Sequence, residues 1–208
     1  MEYTTKAYAS EKSPLELSFI PIHPGDILSY GGYHFEVKLL KGHTFGQCGL
    51  YEPEKKLMFV GDQLMTTIVP IVGTQETDLG MLKCYLDSLG DLKHNYKDCY
   101  FLPCHYGEIK NVEKEVNRII LGYLEKCEIM KHVLEEAGTA LTTRDIGVRT
   151  YGRSQGPPDY AHFASCTYIW AKTFSCMEYM MGEGFVERSE RDGIIYWKAP
   201  SIHFENNR

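Results

Sequence analysis

Three short segments carry the side chains best suited to chemistry: Gly42-His43-Thr44-Phe45-Gly46, Phe59-Val60-Gly61-Asp62 and Leu102-Pro103-Cys104-His105-Tyr106-Gly107. Imidazole nitrogen and carboxylate oxygen are the donors that a borderline divalent cation such as zinc selects. Taken singly, each has an ordinary structural use. A lone histidine at a strand end is usually a hydrogen-bonded structural residue, and a Gly-Asp pair after a strand is usually a turn. Taken together, the order and spacing of His43, Asp62 and His105 fit a β-hairpin followed by a strand–loop–helix–strand excursion. A shared metal would require these three donors to converge in space. Cys104 beside His105 offers a Cys–His nucleophile as a rival reading. Adjacent residues at a turn seldom aim their side chains at each other, and an inert thiol is the default.

The elements that must position these residues are legible from pattern. Leu15 to Phe19 alternates as a half-buried strand does. Asp26 to Tyr30 and Tyr33 to Leu39 flank Gly31-Gly32, the glycines that a two-residue hairpin turn needs. A second hairpin joins Cys48–Tyr51 to Leu57–Val60 through a polar turn, and Thr66 to Thr74 reads as a loop. Thr77 or Asp78 opens a helix with Leu79, Leu82, Leu86 and Leu89 on one face, expected to end near Gly90. Cys99 to Leu102 is a short strand stopped by Pro103. Asn111 caps a long helix ending at Gly138, and Thr142 or Thr143 opens a short one through Arg149. A Gly/Pro loop from Tyr151 to Pro158 leads into an apolar helix from Tyr160 to Met181. Phe185–Arg188 and Ile194–Lys198 form a last hairpin around Asp192-Gly193.

On these residues the first part of the chain resembles the second half of the metallo-β-lactamase superfamily. Gly42 to Gly46 is similar to the family's G-H-T-x-G turn, and Gly61-Asp62 to its strand-ending G-D. Leu102 to Gly107 is similar to its L-P-G-H-G turn, with Cys104 in place of the glycine and Tyr106 inserted before Gly107. The resemblance implies an α+β fold: a partial αββα sandwich over residues 1–110, then a small winged-helix-like domain over residues 111–208. It implies a zinc-dependent hydrolase of ester, thioester or phosphodiester substrates. His43 would be a ligand of a first metal, Asp62 the bridging catalytic carboxylate of a two-metal site, and His105 a ligand of the second. One part of the family pattern is missing. The eight histidines include no pair two residues apart, so the H-x-H-x-D-H loop of the first half of that fold is absent. The chain is therefore expected to be incomplete as a catalyst. It would occur with the missing half as a separate polypeptide, as a homo-oligomer, or as a truncated product. Phe35, Val37, Leu50, Leu57, Phe59 and Phe101 are then expected on an uncovered apolar face, a kind of patch that monomers rarely expose.

Charge bears on the remaining partners. The net charge is −6, and residues 140–208 balance eight Lys and Arg against eight Asp and Glu. The apolar helix from Tyr160 carries one cation, Lys172. A major-groove reader needs several Arg, Lys, Asn or Gln there, so nucleic acid is not the expected partner. The aromatic and methionine residues of that helix, Tyr168 to Met181, predict core packing on one side. The rest would form a partner contact or a wall of a substrate cleft. Seven cysteines without a C-x-x-C pair fit free thiols in a reducing compartment, and no apolar run is long enough to span a bilayer. The expected location is the cytoplasm.

Overall fold

The computed structural model describes residues 20–72, 80–152 and 160–200, with the side chains of its last helix described from residue 168 onward. The expected strand at Leu15–Phe19, the helix start at Thr77 or Asp78 and most of the Gly/Pro loop lie outside these residues.

Five strands build the larger sheet: β1 (Ile27–Tyr30), β2 (Tyr33–Leu39), β3 (Cys48–Glu52), β4 (Leu57–Gly61) and β5 (Tyr100–Pro103), side by side in that order. The first three pairings are antiparallel, as tight hairpins require. Gly31 and Gly32 take φ values of 57° and 81°, the left-handed pair that matches a hairpin turn to strand twist. The β4–β5 pairing is parallel. A parallel neighbour needs a crossover, and helix α1 (Met81–Asn95) supplies it.

Helix α1 runs past Gly90, where the sequence predicted its end. Leu92 explains the extension, because it is fully buried two residues further on. Burying a leucine is worth about 1.5–3 kcal/mol, against a penalty of roughly 0.5–1 kcal/mol for glycine inside a helix.

Helix α2 (Val112–Ala137) begins as expected, with the Asn111 side chain accepting from Lys114 N at 2.9 Å, and ends at Gly138 with φ 62°. After it come β6 (Leu141–Thr142), α3 (Thr143–Tyr151), α4 (Tyr160–Gly182), β7 (Glu187–Arg191) and β8 (Ile194–Lys198). The three strands form a second sheet in the order β6-β8-β7. The apolar side chains of α4 divide: Met177 and Met180 are buried, whereas Tyr168 and Trp170 are exposed. Buried side chains form one continuous cluster from Leu40, Met58 and Phe101 under the large sheet to Met177 and Trp197. The expected boundary near Lys110 falls just before α2, and the core is continuous across it.

Among the described residues, the helices pack on one face of the large sheet, and the side chains of the other face range from buried to exposed. Met58, Val60 and Phe101 point to the helices and are buried. Their strand neighbours point the other way, as period-two alternation demands, and Phe59 there is 39% exposed and Tyr100 48%. Phe101, expected on the uncovered face, therefore lies on the helix side. Val37 shares the open face with Leu50 and Phe59 by register yet is fully buried, apart from the main core.

Two contacts fix the loops beside the strand ends. Tyr123 of α2 donates its hydroxyl to Pro70 O at 2.6 Å and accepts from Val72 N at 3.0 Å. Arg118, one turn earlier, donates to Met65 O at 2.7 Å and Ile68 O at 3.2 Å. Gly42, at φ 145°, sits so close to α1 that a Cβ there would lie 2.4 Å from Tyr85 Cβ and 2.5 Å from Tyr85 Cα. Backbone cannot yield as a flexible side chain can. Gly42→Ala is therefore expected to destabilise the protein by about 1–3 kcal/mol in urea unfolding, with the strained φ adding to the overlap. Tyr123→Phe leaves a buried N–H and a buried carbonyl without a partner, and the same measurement should show a loss of about 1–3 kcal/mol.

Candidate metal site

The ends of β4 and β5 place two of the three expected donors. Because the strands are parallel, both run off the same edge of the sheet, and Gly61 pairs with Pro103. Cys104 N donates to Gly61 O at 3.1 Å, closing the two ends together. Asp62 and His105 follow at once, and His105 Nε2 stands 3.5 Å from Asp62 Oδ1. Gly61 holds φ 56°, and a Cβ there would meet Gln47 Nε2 at 2.3 Å. The same Gln47 nitrogen donates to Cys48 O at 3.2 Å and Val60 O at 3.4 Å, so it braces the strand immediately before Asp62.

His43 arrives from the β2–β3 connection. Its Nδ1 lies 2.7 Å from Ile71 O. A carbonyl can only accept, so Nδ1 carries the proton and a neutral ring presents a lone pair at Nε2. That nitrogen stands 3.6 Å from Asp62 Oδ2. The carbonyl it leans on belongs to the loop that Tyr123 and Arg118 hold, so helix α2 orients an imidazole it does not touch. Orienting hydrogen bonds of this kind are a regular feature around metal-binding histidines. Below the site, burial pushes the Tyr85 hydroxyl well above its ordinary pKa. It therefore stays protonated, and it donates to Gln63 O at 2.8 Å.

The structure thus brings His43, Asp62 and His105 to one place, each imidazole facing a different oxygen of one carboxylate. Two ligands of a single tetrahedral zinc ion, each at 2.0–2.2 Å, stand about 3.3–3.6 Å apart. The observed separations fit that spacing and are long for a hydrogen bond. Asp62 Oδ1 is buried and accepts no hydrogen bond, the state of an oxygen that a cation would satisfy. The donor set therefore fits a borderline divalent ion. Among the described residues no group of three or more His, Cys, Asp or Glu side chains closes around a single point. The layout is instead that of a carboxylate with one oxygen turned toward each of two imidazoles.

Sequence reasoning did not find the Ile71 carbonyl, Gln47 or Tyr106. The first is a backbone group with no signature in residue type. Tyr106 holds φ 68°, rare for an aromatic residue, and Thr66 Oγ1 donates to its carbonyl at 3.0 Å, clipping the two rim loops together. The inserted residue before Gly107 was the signal for that strain. Cys104 is exposed and makes its contact through backbone nitrogen.

No protein-family model matches the chain. A stretch of 40 residues, 19% of the chain, is 50% identical to the hydroxyacylglutathione hydrolase GloC of Haemophilus influenzae and covers 19% of that protein. Among solved structures, 88% of the chain superposes on 55% of a metallo-β-lactamase family protein from Thermus thermophilus, with TM-score 0.72 and 22% identity. It also superposes on 53% of a β-lactamase domain protein from Burkholderia ambifaria, with TM-score 0.75 and 18% identity over 88% of this chain. The chain spans about half the length of these solved structures and about a fifth of the curated relative. Over the part it spans, its fold is that of metallo-β-lactamase family proteins.

Proposed function

We propose that this chain contributes His43, Asp62 and His105 to the two-metal site of a metal-dependent hydrolase, with zinc as the ion. One observation carries the reading. The two oxygens of Asp62 face separate imidazoles at 3.6 and 3.5 Å, and one of those oxygens is buried without a hydrogen-bond partner. Two electron-rich groups this close repel each other unless positive charge lies between them. A divalent ion bound there would supply Lewis acidity toward the carbonyl or phosphoryl group of an ester, thioester or phosphodiester. The residues of the chain do the rest. His43 presents Nε2 because Ile71 O holds its other nitrogen, Asp62 offers one oxygen to each side, and Gly61 and Cys104 fix the separation of Asp62 from His105. The sequence match to a hydroxyacylglutathione hydrolase favours thioesters as the first substrate class to try.

Three donors leave two positions under-coordinated, and the H-x-H-x-D-H pattern that would add more does not occur in the chain. The remaining donors in this reading come from a polypeptide surface docked beside the rim. The order α2–β6–α3–α4–β7–β8 supports a winged-helix unit behind the site. Its balanced charge favours a packing or cleft-wall role over nucleic acid.

Zinc titration by calorimetry, with metal content checked by mass spectrometry, tests the assignment. Replacing His43, Asp62 or His105 by alanine should weaken binding at least about tenfold, or about 1.4 kcal/mol. Equal zinc affinity in the native and Asp62→Ala proteins would refute the assignment.

A further inference from the structure

We propose that Lys126, Lys172 and the hydroxyl of Tyr151 form a binding site for an oxyanion, the phosphate or carboxylate group of a small molecule, at the junction of α2, α3 and α4. The cluster shares no residue with the candidate metal site, so the two readings can fail separately.

Helical spacing builds the cluster. Tyr123 and Cys127 stand four residues apart on α2, and Lys172 and Cys176 four apart on α4, so each pair shares one face of its helix. The two faces meet. Lys172 Nζ lies over the Tyr123 ring, 4.8 Å from its centroid, and the Cys127 and Cys176 thiols are hydrogen-bonded to each other. Tyr151, the last residue of α3, has the same two thiols as neighbours. Lys126 Nζ lies 5.4 Å from the Tyr151 ring centroid. Both ammonium groups thus come to one junction, each set against the face of a tyrosine.

What the junction lacks is negative charge. Lys172 is half-buried, and the loss of water there pulls its pKa below the ordinary lysine value, with the like charge of Lys126 acting in the same direction. The groups that act on its charge are Cys176, Lys126 and Cys127, with no carboxylate among them. Cys176 cannot stand in for one. Its hydrogen bond with Cys127 and its burial hold the thiol well above its usual pKa, so it stays neutral. Two ammonium groups without a counter-charge repel each other, the more so where water is partly excluded. The tyrosine faces attract a cation but carry no net charge.

A second observation is independent of charge. Among the described residues, the Tyr151 hydroxyl is one of the few buried polar groups without a hydrogen-bond partner, and its neighbour Thr150 Oγ1 is another. Burial raises the Tyr151 pKa, so the hydroxyl keeps its proton and is a donor without an acceptor. An oxyanion supplies what both features need, negative charge for two ammonium groups and an acceptor for the hydroxyl. A cation would be repelled, and an apolar ligand would leave all three groups unanswered. The single cation of α4 thus stands where it can hold a ligand.

Calorimetric titration of the full chain without metal, using inorganic phosphate and separately succinate at matched ionic strength, tests the proposal. Saturable binding of at least one anion is expected. Lys126→Met and Lys172→Met, each checked for retained fold by circular dichroism, should weaken it at least about tenfold. Tyr151→Phe removes a hydroxyl that no partner in the fold uses, so stability should hold while binding weakens at least about threefold. Lys55→Met, in the exposed β3–β4 turn, should bind as the native chain does. Should Lys172→Met fail to fold, Lys126→Met and Tyr151→Phe decide the matter. Phosphate binding without succinate binding would assign the site to a phosphoryl group, and binding of both to oxyanions in general. No saturable binding of either anion, or binding indifferent to both lysine variants, would overturn the proposal.

Discussion

Two strands have to finish side by side and point the same way. The rest of the candidate site depends on that constraint. Among the described residues the β4–β5 pair is the one parallel pairing in a sheet otherwise made of hairpins, and a parallel pair puts both carboxyl ends at one edge. Asp62 is the first side chain past β4 at that edge, and His105 the second past β5. The cost of the arrangement is a crossover, and α1 makes it while burying Leu82, Tyr85, Leu89 and Leu92 against the sheet. Burial that drives folding thus also fixes the separation of two donors far apart in the chain.

The third donor depends on a longer chain of contacts. Helix α2 grips the loop after β4 through Arg118 and Tyr123, the loop offers Ile71 O, and that carbonyl sets the tautomer and aim of His43. Each link is a hydrogen bond in a partly or fully buried setting, where an unmade partner is costly and alternatives are few. The back half of the molecule therefore holds the front of the site in position. A continuous core across the expected boundary at Lys110 is consistent with that coupling.

The sheet shows the opposite economy on its other side. Its helix face is packed and its outer face is apolar, aromatic and nearly free of charge. The same alternation sets buried Val37 and Glu52 beside half-exposed Phe59 and Tyr100 on that outer face.

The strands, the two long helices and their caps could be read in advance because each rests on local chemistry. Gly31-Gly32 dictates a turn, Asn111 a helix start, and alternation a strand. The three donors were legible for a different reason: His43 and Asp62 each follow a glycine and His105 stands two residues before one, all just past strand ends, a pattern of residue type and order. Pattern fell short where burial outweighed a local preference, as when Leu92 carried α1 through Gly90. It also fell short at Phe101, whose side of the sheet follows from register with Met58. What only the tertiary structure decided is the wiring between distant segments: the Ile71 carbonyl behind His43, the Gln47 amide under Gly61, and the division of one carboxylate between two imidazoles. Backbone carbonyls carry no residue signature, and the aim of a side chain is set by neighbours that the chain brings together only on folding.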